Sequence, residues 1–143
     1  MGTVAIDTSV VVALFDPDDA HHLDARRALD AATDAQTHYL LSVVVLAEAL
    51  VGAARLGAEG LARAKKTIDD ALGGAVEVDE RVAEAAAMLR AAHRWLRLPD
   101  ALVLATADVE RADVILTCDK RWAKVSPKVQ VVGRAGPRPG RAG

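Results

Sequence analysis

Four acidic residues stand where a carboxylate is costly or unexpected: Asp7, Glu48, Asp100 and Asp119. Asp7 directly follows Thr3-Val4-Ala5-Ile6, an apolar run that reads as a short buried strand. Glu48 interrupts the stretch from Val43 to Val51, a helix apolar on nearly every side, and glutamate is almost never buried without a partner. Asp100 opens a second all-apolar helical stretch that runs to Ala107, where its charge meets the positive end of the helix dipole. Asp119 closes the strand-like run from Asp113 to Thr117. Each acid has an ordinary explanation: a helix or turn cap for Asp7 and Asp119, a dipole partner for Asp100, a solvated stripe shared with Arg55 for Glu48. Jointly they point to chemistry. If they converge, like charges repel and raise one another's pKa, and a hard divalent cation removes the conflict. Mg²⁺ prefers oxygen ligands, keeps several waters and is typically held by one or two carboxylates. Such a site stabilises the charge of an in-line displacement at a phosphodiester, so metal-dependent phosphoryl chemistry is expected.

The elements that must position these acids alternate along the chain. Strands are predicted over residues 3–6, 38–41, 75–78, 113–117 and 129–132. Helices are predicted over 10–15, 19–32, 43–56, 58–72, 79–94 and 99–111, with a helical turn over 119–124. Ser42 and Asp79 are natural N-caps, Gly57 suits the left-handed position after a helix, and Pro99 suits a first helical turn. This alternation predicts an α/β fold, a single domain over residues 1–132 with a central parallel β-sheet of about five strands flanked by helices. Ligands of such sheets bind beyond the carboxyl ends of the strands, where Asp7 and Asp119 are expected. The Gly/Pro/Arg-rich tail, residues 133–143, is expected to be disordered.

Composition narrows the class. The 143 residues are 52% hydrophobic and 27% charged, which excludes general disorder and fits one domain. No apolar run reaches the roughly 20 residues of a membrane span, and the N-terminus lacks the basic start of a signal peptide, so a cytoplasmic protein is expected. Cys118 is the only cysteine, which excludes an internal disulfide and a cysteine-based zinc site. Net charge is −2; without the tail's three arginines, fifteen basic residues face twenty acids, a body charge of −5. A polyanion binder usually shows the reverse, so local basic patches must hold any phosphates. Arg90, Arg94 and Arg97 precede Asp100, and Lys120, Arg121 and Lys124 follow Asp119, as a candidate phosphate track. His21 and His22 are adjacent and diverge on a helix, and Trp95 and Trp122 are read as packing residues.

Four segments carry a family resemblance: Asp7-Thr8-Ser9-Val10-Val11-Val12-Ala13-Leu14, Ser42-Val43-Val44-Val45-Leu46-Ala47-Glu48-Ala49-Leu50, Leu98-Pro99-Asp100-Ala101-Leu102-Val103-Leu104-Ala105-Thr106-Ala107 and Leu116-Thr117-Cys118-Asp119-Lys120-Arg121-Trp122. In order and spacing they resemble the signature segments of PIN-domain ribonucleases, and among these the VapC toxins of type II toxin–antitoxin pairs. The resemblance spans residues 4–132. It implies a Mg²⁺- or Mn²⁺-dependent endoribonuclease whose products carry a 5′-phosphate and a 3′-hydroxyl. By that resemblance Asp7 and Asp100 are the main metal ligands, and Glu48 and Asp119 complete the acidic pocket, directly or through water. Thr117 matches a hydroxyl that orients the pocket, with Ser9 beside it. Arg94, Arg97, Lys120 and Arg121 are then the candidate RNA contacts. Trp122 stands where a smaller aromatic is usual, which concerns packing alone. The implied partners are RNA, a VapB-like antitoxin and a second copy in a homodimer. The rival non-enzymatic reading is a catalytically silent PIN-like module that binds RNA or protein. A receiver domain is disfavoured because Thr8-Ser9 stands where its acidic pair should begin, and an Asp-x-Ser-x-Ser adhesion site because Val11 takes the last position.

Overall fold

Strand β1 (Gly2–Ile6) lies at the centre of a five-stranded, wholly parallel sheet. This is seen in a computed structural model of the chain, which describes residues 2–133. Its neighbours are β2 (Thr37–Ser42) and β4 (Val114–Thr117), with β3 (Ala75–Val76) and β5 (Val129–Val131) at the edges, in the order β3-β2-β1-β4-β5. The strands are connected by α1 (Thr8–Phe15), α2 (His22–Ala32), α3 (Val43–Ala54), α4 (Ala58–Leu72), α5 (Glu80–Ala92) and α6 (Leu98–Val109), and a 3₁₀ turn, Lys120–Lys124, leads into β5. The expected α/β fold with five parallel strands is therefore the observed one. The tail expected to be disordered lies, from Arg134 onward, outside the described residues.

A parallel sheet is covered on both faces, and the central strands are accordingly apolar runs rather than alternating ones. Val4, Ala5, Ile6, Leu41, Ile115 and Leu116 are buried, packed with Val10 and Val11 of α1 and Leu104 and Ala105 of α6. Helix α6 is buried as expected of a helix without a polar face: Ala101 and every residue from Val103 to Ala107, Thr106 included, are buried. Helix α3 departs from the reading. Only Val45 is fully buried, while Ala47, Glu48 and Val51 face solvent and the rest of the helix packs against α1, α4, α6 and β2. The α3–α4 contact is close: a Cβ at Gly60 would stand 3.0 Å from the Ala53 carbonyl oxygen.

Most element ends lie within two residues of their expected places. The larger differences have local causes. Helix α2 starts three residues late because Asp16 and Asp19 accept from the backbone N–H groups of Asp18 (2.9 Å) and His21 (2.8 Å), holding turns instead of a helix start. Strand β3 stops at Val76, two residues early; it is an edge strand paired only through Ala75 and Val76.

Candidate active site

The chain order runs outward from β1 through β2 to β3, then resumes on the other side with β4 and β5. Between β1 and β4 the connections diverge, and the carboxyl ends of those two strands border the crevice where open α/β sheets bind ligands. Asp7 is the first residue after β1, and Cys118 and Asp119 follow β4. The Asp7 N–H donates to Leu116 O (3.0 Å), so the two strand ends are tied together at the site.

Asp7 caps α1 and does more than cap it. Its Oδ1 accepts from the Thr8 N–H (2.7 Å), and its Oδ2 accepts from the hydroxyls of Ser9 (2.8 Å) and Thr117 (2.9 Å). Ser9 Oγ accepts in turn from the Cys118 N–H (3.0 Å), and Thr117 Oγ1 accepts from the Asp119 N–H (3.0 Å). Two hydroxyls thus lock the loops after β1 and β4 around one carboxylate, which is only 6% exposed. Burial pushes the Asp7 pKa up; the donors Ser9, Thr117 and Thr8 hold part of that rise back, and the Glu48 charge adds to it.

The other three acids arrive from separate elements. Asp100 lies in the first turn of α6, half-buried, with its pKa raised by burial and then by the charge of Asp7; Arg97 offsets part of this, and Glu48 and Asp119 add to it. The other three predicted acids, Asp7, Glu48 and Asp119, are therefore all felt at the Asp100 carboxyl. Glu48 is exposed on α3, and its Oε1 accepts from the Thr8 hydroxyl (3.1 Å), which links it to the loop that carries Asp7. Thr8 is a site residue that sequence reading missed, although the polar Asp7-Thr8-Ser9 break between an apolar strand and an apolar helix was a visible signal. Asp119 caps the 3₁₀ turn and is clamped by Arg121, whose Nε (3.1 Å) and Nη2 (2.8 Å) both donate to it. The Arg121 guanidinium holds the Asp119 pKa below its usual range.

Arg94, Arg97, Lys120 and Arg121 are all exposed; Arg97 acts on Asp100, and Arg121 is paired with Asp119. Trp122 is buried in the core, as read; Trp95 is only half-buried, and the Arg121 guanidinium lies 5.2 Å from its ring centroid. His22 Nδ1 is hydrogen-bonded with Ala13 O (2.7 Å).

Among the described residues, no three acidic, histidine or cysteine side chains form a ready coordination cage. The donor set is nonetheless one that a hard cation suits: carboxylate oxygens only, two of them on acids whose anionic form is disfavoured by burial and by mutual repulsion.

Residues 4–127 match the family described as PIN domain. The chain belongs to the PIN-domain family. A comparison with curated proteins finds no match. Among solved structures this PIN domain is similar to a toxin–antitoxin complex from Klebsiella pneumoniae, at 25% identity and a TM-score of 0.71, covering 90% of this chain and 96% of that one. It is also similar to VapC20 of Mycobacterium tuberculosis, a toxin that cleaves the sarcin–ricin loop (22% identity, TM-score 0.66, covering 85% and 93%). A third neighbour is VapBC-1 from nontypeable Haemophilus influenzae (15% identity, TM-score 0.69, covering 90% and 97%). In each case the similarity extends over nearly the whole PIN fold.

Proposed function

We propose that this PIN domain is a Mg²⁺-dependent endoribonuclease, Mn²⁺ serving as well, and that it is the VapC-like toxin of a toxin–antitoxin pair acting in the cytoplasm to arrest translation or growth. One observation carries the reading: Thr117 and Thr8 tie Asp7 at the end of β1 to the Asp119 backbone beyond β4 and to Glu48 of α3, and Asp100 of α6 lies close enough to feel all three of these acids. The name of the VapC20 neighbour, an RNA-cleaving toxin, supports the same class of substrate.

In this reading Asp7 and Asp100 hold the ion, and Asp119 completes the acidic pocket through a second ion or a water. A bound Mg²⁺ supplies Lewis-acid stabilisation of the negative charge that builds on the phosphoryl oxygens. The chain's own groups do the rest. Ser9, Thr117 and the Thr8 N–H fix the Asp7 carboxylate in one orientation, so no side-chain freedom is lost when the site fills. Glu48, solvent-facing and hydrogen-bonded by Thr8, orients the attacking water and takes its proton. Attack in line with the 3′ oxygen leaves a 5′-phosphate and a 3′-hydroxyl. Arg94, Arg97 and Lys120 track the flanking phosphates.

The partner surface is proposed on the cleft where α1, α3 and α4 meet. A cavity of about 250 Å³ there is lined by Val12, Phe15, Ala49, Ala64 and Ile68, and Val12 and Phe15 are each 41% exposed. A VapB-like antitoxin would bury it; the neighbours that are VapBC complexes support such a partner. A second copy in a homodimer is proposed as well, supported by Met88, 73% exposed beside a cavity of about 600 Å³ against α5 and α6. Among the described residues, no helix is long and apolar enough to cross a membrane.

The test is cleavage of RNA by the purified chain with Mg²⁺ or Mn²⁺, against EDTA and against Asp7→Asn. Cleavage lost in both controls is expected. An Asp7→Asn variant as active as the parent overturns the assignment, and metal-independent RNA binding without cleavage identifies the silent binding module instead.

A further inference from the structure

On the loop that joins α5 to α6, Trp95 holds its indole at the edge of the acidic pocket. The loop is anchored: Leu96 is fully buried, its carbonyl accepts from Arg90 Nε (2.9 Å), and its N–H donates to His93 O (3.0 Å). The His93 ring packs edge-on against the indole, with centroids 6.0 Å apart. The guanidinium lying 5.2 Å from the indole centroid is that of Arg121, the same group that clamps Asp119. Trp95 is therefore one guanidinium away from the pocket. Arg121 commits its Nε–Nη2 edge to Asp119, which holds the guanidinium plane in place, and 57% of its side chain is exposed.

Unpaired bases stack on aromatic rings and on arginine planes, and every base has such a face. We propose that Trp95 and Arg121 form a stacking platform for one unpaired RNA base, adjacent to the phosphate that the acids act on. This rests on the nuclease reading above and adds to it the requirement that the nucleotide beside the cleaved bond be unstacked. Exposed Arg94 and Arg97 on the same loop serve the flanking phosphates, while the platform takes the base.

Tryptophan fluorescence reads this directly, because Trp122 is sealed in the core and Trp95 is the half-buried indole. The intact chain is titrated with oligoadenylate and with polyphosphate, with Ca²⁺ in place of Mg²⁺ to neutralise the acids. Quenching by oligoadenylate, absent with polyphosphate and absent in Trp95→Ala, is expected. In Mg²⁺, Trp95→Ala should raise KM for single-stranded RNA about ten-fold with little change in kcat, and Trp95→Phe should restore it. If Trp95→Ala fails to fold, Trp95→Leu against Trp95→Phe makes the same comparison. Equal quenching by polyphosphate, or a folded Trp95→Ala or Trp95→Leu with the parent's KM, overturns the platform and leaves the nuclease reading intact. An intact chain that cleaves no RNA overturns the nuclease reading, and the quenching titration still decides whether Trp95 takes a base.

Discussion

A hydrogen bond of 2.9 Å joins the Thr117 hydroxyl to Asp7 Oδ2 across 110 residues of chain, and the same hydroxyl oxygen accepts the Asp119 N–H. One fully buried side chain thus couples the acid after β1 to the acid after β4. Thr117→Val keeps the volume and removes both bonds. It should cost about 1–3 kcal/mol of stability, since the Asp119 N–H loses its acceptor and Asp7 loses one donor. It should also raise the Asp7 pKa further and lower cleavage, while Thr117→Ser retains most of both. Thermal melting and initial rates on one RNA check this; a Val variant with the parent's rate removes Thr117 from the site.

Asp100 sets the sign of the pH dependence. Its folded-state pKa lies above the ordinary carboxylate value through burial and the charges of Asp7, Glu48 and Asp119, with Arg97 opposing. The folded chain then holds that proton more tightly than the unfolded chain, so without metal the fold loses stability as pH rises from the usual value through the raised one. Asp100→Asn abolishes this loss. In EDTA the variant should melt above the parent at neutral pH, and the gap should close as the parent's carboxyl is protonated. Asp119, held low by Arg121, acts with the opposite sign: its contribution is present above the ordinary carboxylate range and fades as acid titrates it. An Asp100→Asn variant that melts lower at neutral pH would show that its carboxylate stabilises the metal-free fold.

Metal addition supplies the complementary measurement. A ligand that binds only the folded state at about one hundred times its Kd stabilises it by about 2.7 kcal/mol. Mg²⁺ should therefore raise the melting temperature of the parent, and not that of Asp7→Asn or Asp100→Asn. Because both carboxyls have raised pKa values and must be deprotonated to bind, the metal-induced shift should weaken at a higher pH than ordinary carboxylates would give. A shift unchanged in both variants would move the ion elsewhere.

How much of this was legible beforehand depends on the range of the interaction. Helix α4 was read to the residue because glycines bound it: Gly57 and Gly73 take φ of +93° and +83°, which an L side chain rarely adopts. The four acids were visible as carboxylates at strand ends or in apolar helices, a local signal. Their convergence was not, since it depends on β4 lying beside β1, a pairing between residues about 110 positions apart. The exposure of Glu48 fits the solvated stripe shared with Arg55, which is exposed as well; hydropathy, which marks α3 as apolar, could not choose between that stripe and a buried acid. The Arg121–Asp119 clamp spans two residues, yet it depends on the rotamer of a long side chain in a 3₁₀ turn, which the order of residues does not encode.

The cavity where α1, α3 and α4 meet yields the last prediction. Val12 and Phe15 of α1 are large apolar side chains, each 41% exposed at one cavity, and such an exposed apolar patch marks a candidate partner surface. They line a cavity with Ala49, Ala64 and Ile68, and neither takes part in the hydrogen bonds around Asp7. Phe15→Asp should therefore leave the fold and the cleavage rate of the free chain near those of the parent. An antitoxin inserting an apolar helix there would lose about 2 kcal/mol or more on meeting a buried, unpaired carboxylate, at least a thirty-fold weaker complex. In cells the expected outcome is growth arrest that the co-expressed partner no longer relieves. Relief equal to that of the parent chain would place the antitoxin on another face, with the nuclease site unaffected.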